Sequence, residues 1–471
     1  MVIVMGLGSR VAYINKFQIL INLLIILFAL INYNYDFVSN IGLMPYLIVL
    51  LIFSLFFSNY KSDINITSAY SFFIFSVSIF ILGRFFSYVF SPDEKLYEMS
   101  FFVKYKLNDE GALKLTTYVV TAIAFLDIGY RLGKLKNYNF RKIEIDHLWM
   151  KKLCKLCLIS SPIILYDVIS NVFLACESDY LSTKLWQVGD YSIHIDSLIK
   201  TIFYICFSYS VTFGYKRKTF IVIFIFMTFS SLYIGARGPI ATAALFLIWM
   251  LFDCGKSKIN CKKLFFTSVF FVFILIFIIL FIKYFSARAI YSDSTQSLLT
   301  LASGFFYQQG LSLMVFDLSM KIEHYPILAY IQSFIPGSSA IMSLFHPVEY
   351  YETSFSHALA HQLNPQLFNS GFGTDWTLFS DFYVFGGMNL VGFCVVALGF
   401  GALFSILQNS SEKSSFWYLL LVALFMRLIF LPRSTLTSII PFSIYLYLFV
   451  IVFPKIYYFF KHNIANITNT K

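Results

Sequence analysis

The residues in this chain most able to do chemistry are arginines, two histidines and one aspartate. Arg237 stands in the run Gly235-Ala236-Arg237-Gly238-Pro239, Arg427 and Arg433 form a late pair, and Arg84 and Arg288 lie near the ends of apolar stretches. A guanidinium is planar and permanently charged, and its fork of N–H donors fits phosphate or carboxylate oxygens two at a time. His357 and His361 are four apart and share one face of a helix. That spacing could hold zinc, but no acid or cysteine stands at helical spacing as a third ligand, so no metal is expected. A proton acceptor or a sugar-hydroxyl contact fits better, beside the plainer reading of a hydrogen-bonded surface pair. Asp381 is a further proton acceptor. Gly371 and Gly373 imply a turn that needs positive φ or close backbone approach. Trp376 and Tyr383 could stack on sugar faces.

The elements that must position these groups are membrane helices. Of 471 residues, 59% are hydrophobic and 13% charged, with 57 Phe and 32 Tyr. Soluble domains carry about 25% charged residues. This balance excludes a cytosolic globular enzyme, a disordered chain and a disulfide-stapled secreted domain. Apolar runs of spanning length occur at 17–32, 41–59, 66–90, 112–130, 156–175, 197–214, 219–235, 238–252, 264–282, 384–407, 416–432 and 437–454. The first lacks a small-residue cleavage site and leads straight into the second, so it is expected to be a span and not a signal peptide. Period-2 alternation is absent, which argues against a barrel. The expected architecture is all-α, with about twelve transmembrane helices. Nine fill 1–282, a large loop occupies 283–383, and three more with a tail fill 384–471. The loop holds four of the seven His and no Cys, and helices are expected in it near 296–321 and 353–363. Long loops of this kind are usually functional.

The formal charge of +11 follows the membrane. With the N-terminus cytoplasmic, 22 Lys and Arg against 5 Asp and Glu fall inside, and 9 against 17 fall outside. This is the positive-inside pattern, and no nucleic-acid partner is needed to explain the basic balance. The arginines named above are the exceptions, gathered toward the outer face. Arg84, on a third span read as one continuous helix running outward, lies about 9 Å past its midpoint. Arg84 and Arg427 could instead snorkel or pair with a buried acid such as Asp167. Asp167 and Lys200 are expected to pair structurally, and Asp127 to cap or pair near the inner face. Cys154 and Cys157 read as small apolar residues of a helix. There is no Walker or dinucleotide motif, so no cytosolic nucleotide chemistry is expected.

The chain resembles the O-antigen polymerases, the Wzy-type oligosaccharide repeat-unit polymerases. The resemblance rests on about twelve spans with a large outer loop before the last three, on the Gly-x-Arg-Gly-Pro turn at 235–239, and on Asn-Pro-x-x-Phe-x-x-Gly-x-Gly at 364–373. It rests further on Asp-x-Tyr-x-x-Phe-Gly-Gly at 381–387 and on the Arg427–Arg433 pair. Asp381 departs from the pattern, where a glutamate would be expected. The resemblance implies a C-type glycosyltransferase fold with its site at the periplasmic face of the inner membrane. It implies transfer of a growing glycan from undecaprenyl pyrophosphate to a sugar hydroxyl of the next lipid-linked unit, without a cofactor. Arg237, Arg427 and Arg433 would neutralise the departing pyrophosphate, assisted by Arg84 and Arg288. His357, His361 or Asp381 would take the proton. The partners implied are the lipid-linked donor and acceptor and the bilayer, and a chain-length regulator protein is left open.

Three other classes compete. An O-antigen ligase shares the layout, although its loop pairs His with Asn more tightly than His361-x-x-Asn364. A flippase of lipid-linked sugars suits twelve spans, yet transporters concentrate polar sites near the midplane and show two-fold repeats. A glycan acyltransferase needs a His in the membrane with acidic company.

Overall fold

Apolar runs flanked by polar turns leave their backbone groups no partner in lipid except each other, so they form helices. A computed structural model gives the arrangement; it describes residues 2–35, 38–62, 64–91, 95–100, 102–135, 142–177, 192–234, 237–252, 277, 298–335 and 337–469. The N-terminal part comprises α1 (Val2–Asn34), α2 (Met44–Lys61), α3 (Ala69–Phe80), α4 (Gly83–Phe90), α5 (Asp109–Leu135), α6 (His147–Glu177), α7 (Ser192–Phe213), α8 (Arg217–Tyr233) and α9 (Arg237–Leu251). The large loop contributes α10 (Leu298–Gln309), α11 (Ser312–Ser319), α12 (Ile327–Phe334), α13 (Ser338–Met342), α14 (Phe355–Leu363), α15 (Pro365–Asn369) and α16 (Leu378–Phe385). The chain then continues through α17 (Leu390–Ser411), α18 (Ser415–Phe430), α19 (Ile440–Tyr447) and α20 (Phe453–Asn469). Apart from Phe277, the expected ninth span at 264–282 lies outside the described residues, as does Arg288.

Among the described residues, seven helices are long and apolar enough to cross a membrane, or eight if the bent pair α3–α4 is one span. Leu198–Phe213 and Gly238–Leu251 are apolar but shorter. The spans expected at 197–214, 219–235 and 238–252 coincide with helices whose apolar part falls short of spanning length, and two further expected spans differ in course. The third is not continuous: α3 and α4 meet at a bend of 63°. A Cβ at Gly83 would come within 2.4 Å of the Phe306 carbonyl, and one at Gly310 within 2.4 Å of the Arg84 nitrogen. The break thus lets α4 turn onto α10 in backbone contact, where Ser87 and Ser303 hydroxyls pair at 2.7 Å. The depth expected for Arg84 from an unbroken helix is therefore lost. The tenth span, expected from 384, starts at Leu390 instead, because α16 ends in a Gly386–Gly387 turn and Asn389 caps a new helix.

The centre of the bundle is α5, which packs most extensively on α17. Phe393, Ala397, Gly401 and Ser405 recur every four residues on the buried face of α17, while Val391, Val395 and Leu403 face outward. Small residues at such a seam let two backbones approach. A Cβ at Gly129 would lie 2.0 Å from the Leu398 carbonyl, and one at Gly401 2.0 Å from the Leu126 carbonyl. On either side of Gly129 in sequence, Asp127 and Arg131 are buried and paired at 2.7 Å. Tyr70 and Asn22 complete the Asp127 carboxylate at 2.9 and 2.8 Å. Asn15 and Asn59 accept from the guanidinium at 2.6 and 2.9 Å. Asp127 thus pairs as expected, and Arg131, read from sequence as a loop residue, is its buried partner. Asp167 pairs with Lys200 at 2.6 Å.

The seam predicts an asymmetry between neighbouring glycines. Gly401→Val should cost about 3 kcal/mol or more through overpacking and lower the membrane level of the protein. Gly399→Ala, with open space around it, should be neutral. Equal thermal stability of the two variants in detergent would contradict the close contact.

Candidate active site at the turn between the last two spans

Residues 431–438 join α18 to α19 through two short 3₁₀ turns, Leu431–Arg433 and Leu436–Ser438. Pro432 stops α18 from continuing. Several candidate residues meet on this turn. Arg433 engages the Asp375 carboxylate through Nε at 2.7 Å and also through Nη2, while Nη1 donates to Gln309 Oε1 at 3.2 Å. Asp381 accepts from the Leu436 backbone N–H at 2.6 Å, from Trp376 Nε1 at 2.8 Å and from the Thr435 hydroxyl at 3.3 Å. Arg427 donates from Nη1 to the Ser438 carbonyl at 3.0 Å and lies over the Phe442 ring at 4.1 Å. Among the described residues, no carboxylate is within ion-pair reach of Arg427.

Arg427 lines a cavity of about 260 Å³ together with Tyr204, Thr228, Gly238, Pro239 and Ser438. Gly238 and Pro239 belong to the first turn of α9, so the Arg237 motif and Arg427 border the same space. The side chain of Arg237 and residues Gly235 and Ala236 lie outside the described residues. Two contacts hold α9 there: the Phe430 ring approaches Gly238 so closely that a Cβ would sit 2.7 Å from it, and Trp249 stacks on Phe425 at 4.0 Å. A helix N-terminus offers unpaired N–H groups and the positive end of its dipole. With an arginine that lacks an acid, it makes a cavity suited to an anion. Drug-sized sites run to roughly 300–1,000 Å³, so this one fits a phosphate head better than a whole oligosaccharide.

Asp381 is wholly buried, in the first turn of α16 and outside the spans. Burial pushes its carboxyl up to about 7, against the pull of its three donors. It is placed to hold the turn, whereas the open proton acceptor expected from sequence would need a free oxygen facing substrate. Trp376 and Tyr383 are also corrected. Trp376 packs between Tyr325 and Phe355 while donating to Asp381, and Tyr383 packs against Tyr118. Both are buried in the core and present no face to a sugar. Arg84 donates to the carbonyls of Leu96 and Glu98 at 2.9 and 2.6 Å and lies on the Tyr307 ring. It thereby supports the antiparallel pair Glu98–Met99 and Tyr105–Lys106, and it does not reach Asp167.

The loop motifs have a local cause. Asn364 caps α15 by accepting from the Leu367 N–H at 3.1 Å, and Pro365 occupies the first helical position. Gly371, at φ 85°, ends that helix with Gly371 N–H to Phe368 O and Phe372 N–H to Leu367 O, a Schellman cap. Gly373 has neither positive φ nor a close neighbour, contrary to expectation. His357 stacks on Tyr350 and bonds Thr353 through Nδ1 at 3.1 Å, and His361 stacks on Tyr351. Both face Phe368, across α14 from Phe355, which carries the contact to Trp376. Burial lowers the His357 pKa, which favours the neutral ring.

A family model, O-antigen polysaccharide polymerase Wzy, matches residues 13–463. The chain belongs to the Wzy family. No curated protein and no solved structure matches it. Membership and the apolar helices make it a multi-pass inner-membrane protein of polysaccharide and lipopolysaccharide biosynthesis, an O-antigen polymerase whose substrates are lipid-linked oligosaccharides. For a Wzy protein, sequence reasoning missed Asp375, Gln309 and Ser438, the partners of the late arginines. The polar run Ser434-Thr435-Leu436-Thr437-Ser438 after Arg433, set between apolar helices, was the available signal.

The Asp381 clamp has a pH signature. In the fold the carboxyl keeps its proton up to about 7, while in the unfolded chain it releases it near 3.9. The fold therefore binds more protons in that window, and the stability owed to this group falls as pH rises from about 4 to 7. Asp381→Asn should flatten that fall. It should also cost about 1–3 kcal/mol, because the amide NH₂ meets the Leu436 or Trp376 donor. Thermal unfolding in detergent at pH 5 and pH 8 tests this, and identical pH dependence in both proteins would refute it.

Proposed function

We propose that the chain polymerises O-antigen repeat units by moving the growing glycan from undecaprenyl pyrophosphate to a hydroxyl of the next lipid-linked unit. In this reading it is a C-type glycosyltransferase of about twelve spans, with cytoplasmic termini and the site at the periplasmic face. The observation that carries it is Arg427: a half-buried arginine lining a cavity beside a helix N-terminus, with no carboxylate in reach among the described residues. A charge left so in low dielectric favours an anionic ligand.

The donor arrives already activated. Attack of the acceptor hydroxyl on the anomeric carbon breaks the bond to the pyrophosphate oxygen, and the developing negative charge stays on that leaving group. Arg427 and the first turn of α9, with Arg237, stabilise it. Arg433 contributes once Asp375 yields to a phosphate, and Arg288 remains an assisting candidate. The acceptor proton goes to His357 or His361. His357, kept neutral by burial and oriented through Nδ1 by Thr353, has the right protonation state for a base. Asp381 positions the turn.

Removing one such donor commonly costs roughly 10²–10³ in rate. Arg427→Ala, expressed at normal level in a deletion strain, should collapse the lipopolysaccharide ladder to core plus one repeat unit. Arg427→Lys should restore little, lacking the fork. A normal ladder in the Ala variant sinks the proposal, and bare core with pooled lipid-linked polymer would indicate a ligase instead.

A further inference from the structure

Between Glu323 and Glu349 the chain carries no Asp, Glu, Lys or Arg. Its two helices, α12 and α13, are separated by a turn with Gly337 at φ 77°. At 1.5 Å per residue, the eight residues of α12 extend about 12 Å, far short of the ~30 Å of hydrocarbon. This apolar stretch is therefore two short helices, neither of which can span. One side of α12 is packed: Ala329 and Ser333 are buried, and Tyr330 meets Phe355 and Phe385 edge-on. The other side is bare. Leu344 is 80% exposed, Phe345 71% and Ile327 77%, with Ile331, Ile335 and Ile341 beside them. An apolar patch of this kind, outside the spans, marks an interaction surface.

Its position says what covers it. The Thr437 hydroxyl donates to Ser333 Oγ at 3.2 Å, and Thr437 belongs to the candidate span Leu436–Lys461. Phe334 packs on Phe385, just ahead of the span Leu390–Ser411. The two helices are thus fixed at the ends of two spans, and α12 packs against α19, on which Ile444 and Tyr447 are likewise exposed. We propose that α12, α13 and residues 343–345 lie in the plane of the membrane, sunk into the leaflet at this end of the bundle as an interfacial anchor. The stretch carries no charge that would have to be desolvated on entering the leaflet. Through Ser333 and Thr437 the anchor holds the 431–438 turn, and with it Ser438 and Arg427, at headgroup level.

This inference rests on the membrane reading and not on the proposed chemistry, and its test needs no turnover. A benzophenone amino acid is placed at Leu344, at Phe345 and, as control, at Glu349. The full-length protein is reconstituted in phosphatidylethanolamine–phosphatidylglycerol vesicles and irradiated. Mass spectrometry should find phospholipid adducts at 344 and 345 at least several-fold above those at 349. Adduct levels equal to the control would overturn the proposal, and so would crosslinked dimers in place of lipid adducts, which would assign the face to a second copy. Either result leaves the polymerase reading standing, and a normal ladder in Arg427→Ala leaves the anchor standing.

Discussion

An arginine beside lipid has to be matched by acceptors, because its charge cannot be neutralised by losing a proton. The way each arginine is matched organises this molecule. Arg131 is matched fully, by Asp127, Asn15 and Asn59, and this ties α1, α2 and α5 together at one level. Arg84 is matched by backbone carbonyls and a tyrosine ring, and so supports the short strand pair above the bent third span. Arg433 is matched by a carboxylate that belongs to the loop, and this contact draws the loop onto the spans. Among the described residues, Arg427 has one carbonyl and one aromatic face. Moving along this series, protein acceptors give way to open space, and the open end of the series is the cavity.

That gradient depends on how tightly the helices are set. The glycine seam brings α5 and α17 close enough to bury α5 on nearly every side, which leaves no slack at the head of α17. The Gly386–Gly387 turn takes up the change of direction there, with Gly387 at φ 72° ending α16 in a second Schellman cap. As a result α16 is separate from the span, and its first turn delivers Asp381 to the 431–438 turn. The large loop is therefore not an appendage. Trp376, Leu378 and Phe379 share the same buried core as Phe316 and Phe393.

This explains which features were legible in the sequence. Helices and their approximate ends follow from runs of apolar residues, a local property, and most of the expected spans coincide with observed helices. The capped α15 was visible as Asn-Pro and a trailing glycine, because capping is also local. The break after Phe80 was not, because the close approach it serves, of Gly83 to Phe306 and Gly310, joins residues far apart in sequence. The roles of Trp376 and Tyr383 were misread for the same reason. An aromatic residue in a polar-rich loop looks available until the tertiary fold shows it buried. Arg427 and Arg433 stood out as exceptions to the positive-inside pattern, but nothing local separates the arginine that has an acid from the one that lacks it.

The aspartate at 381, where the family resemblance suggested a glutamate, then has a physical meaning. Its carboxyl group meets the Leu436 backbone N–H at 2.6 Å and an indole at 2.8 Å, so both oxygens are in direct contact with their donors. A glutamate would add one carbon–carbon bond, about 1.5 Å, and would need the turn to stand that much further from α16. The length of the acid therefore sets the spacing between the loop layer and the turn between the last two spans. Because Ser438 and Arg427 are fixed to that turn, the same spacing sets how wide the space beside Arg427 can be.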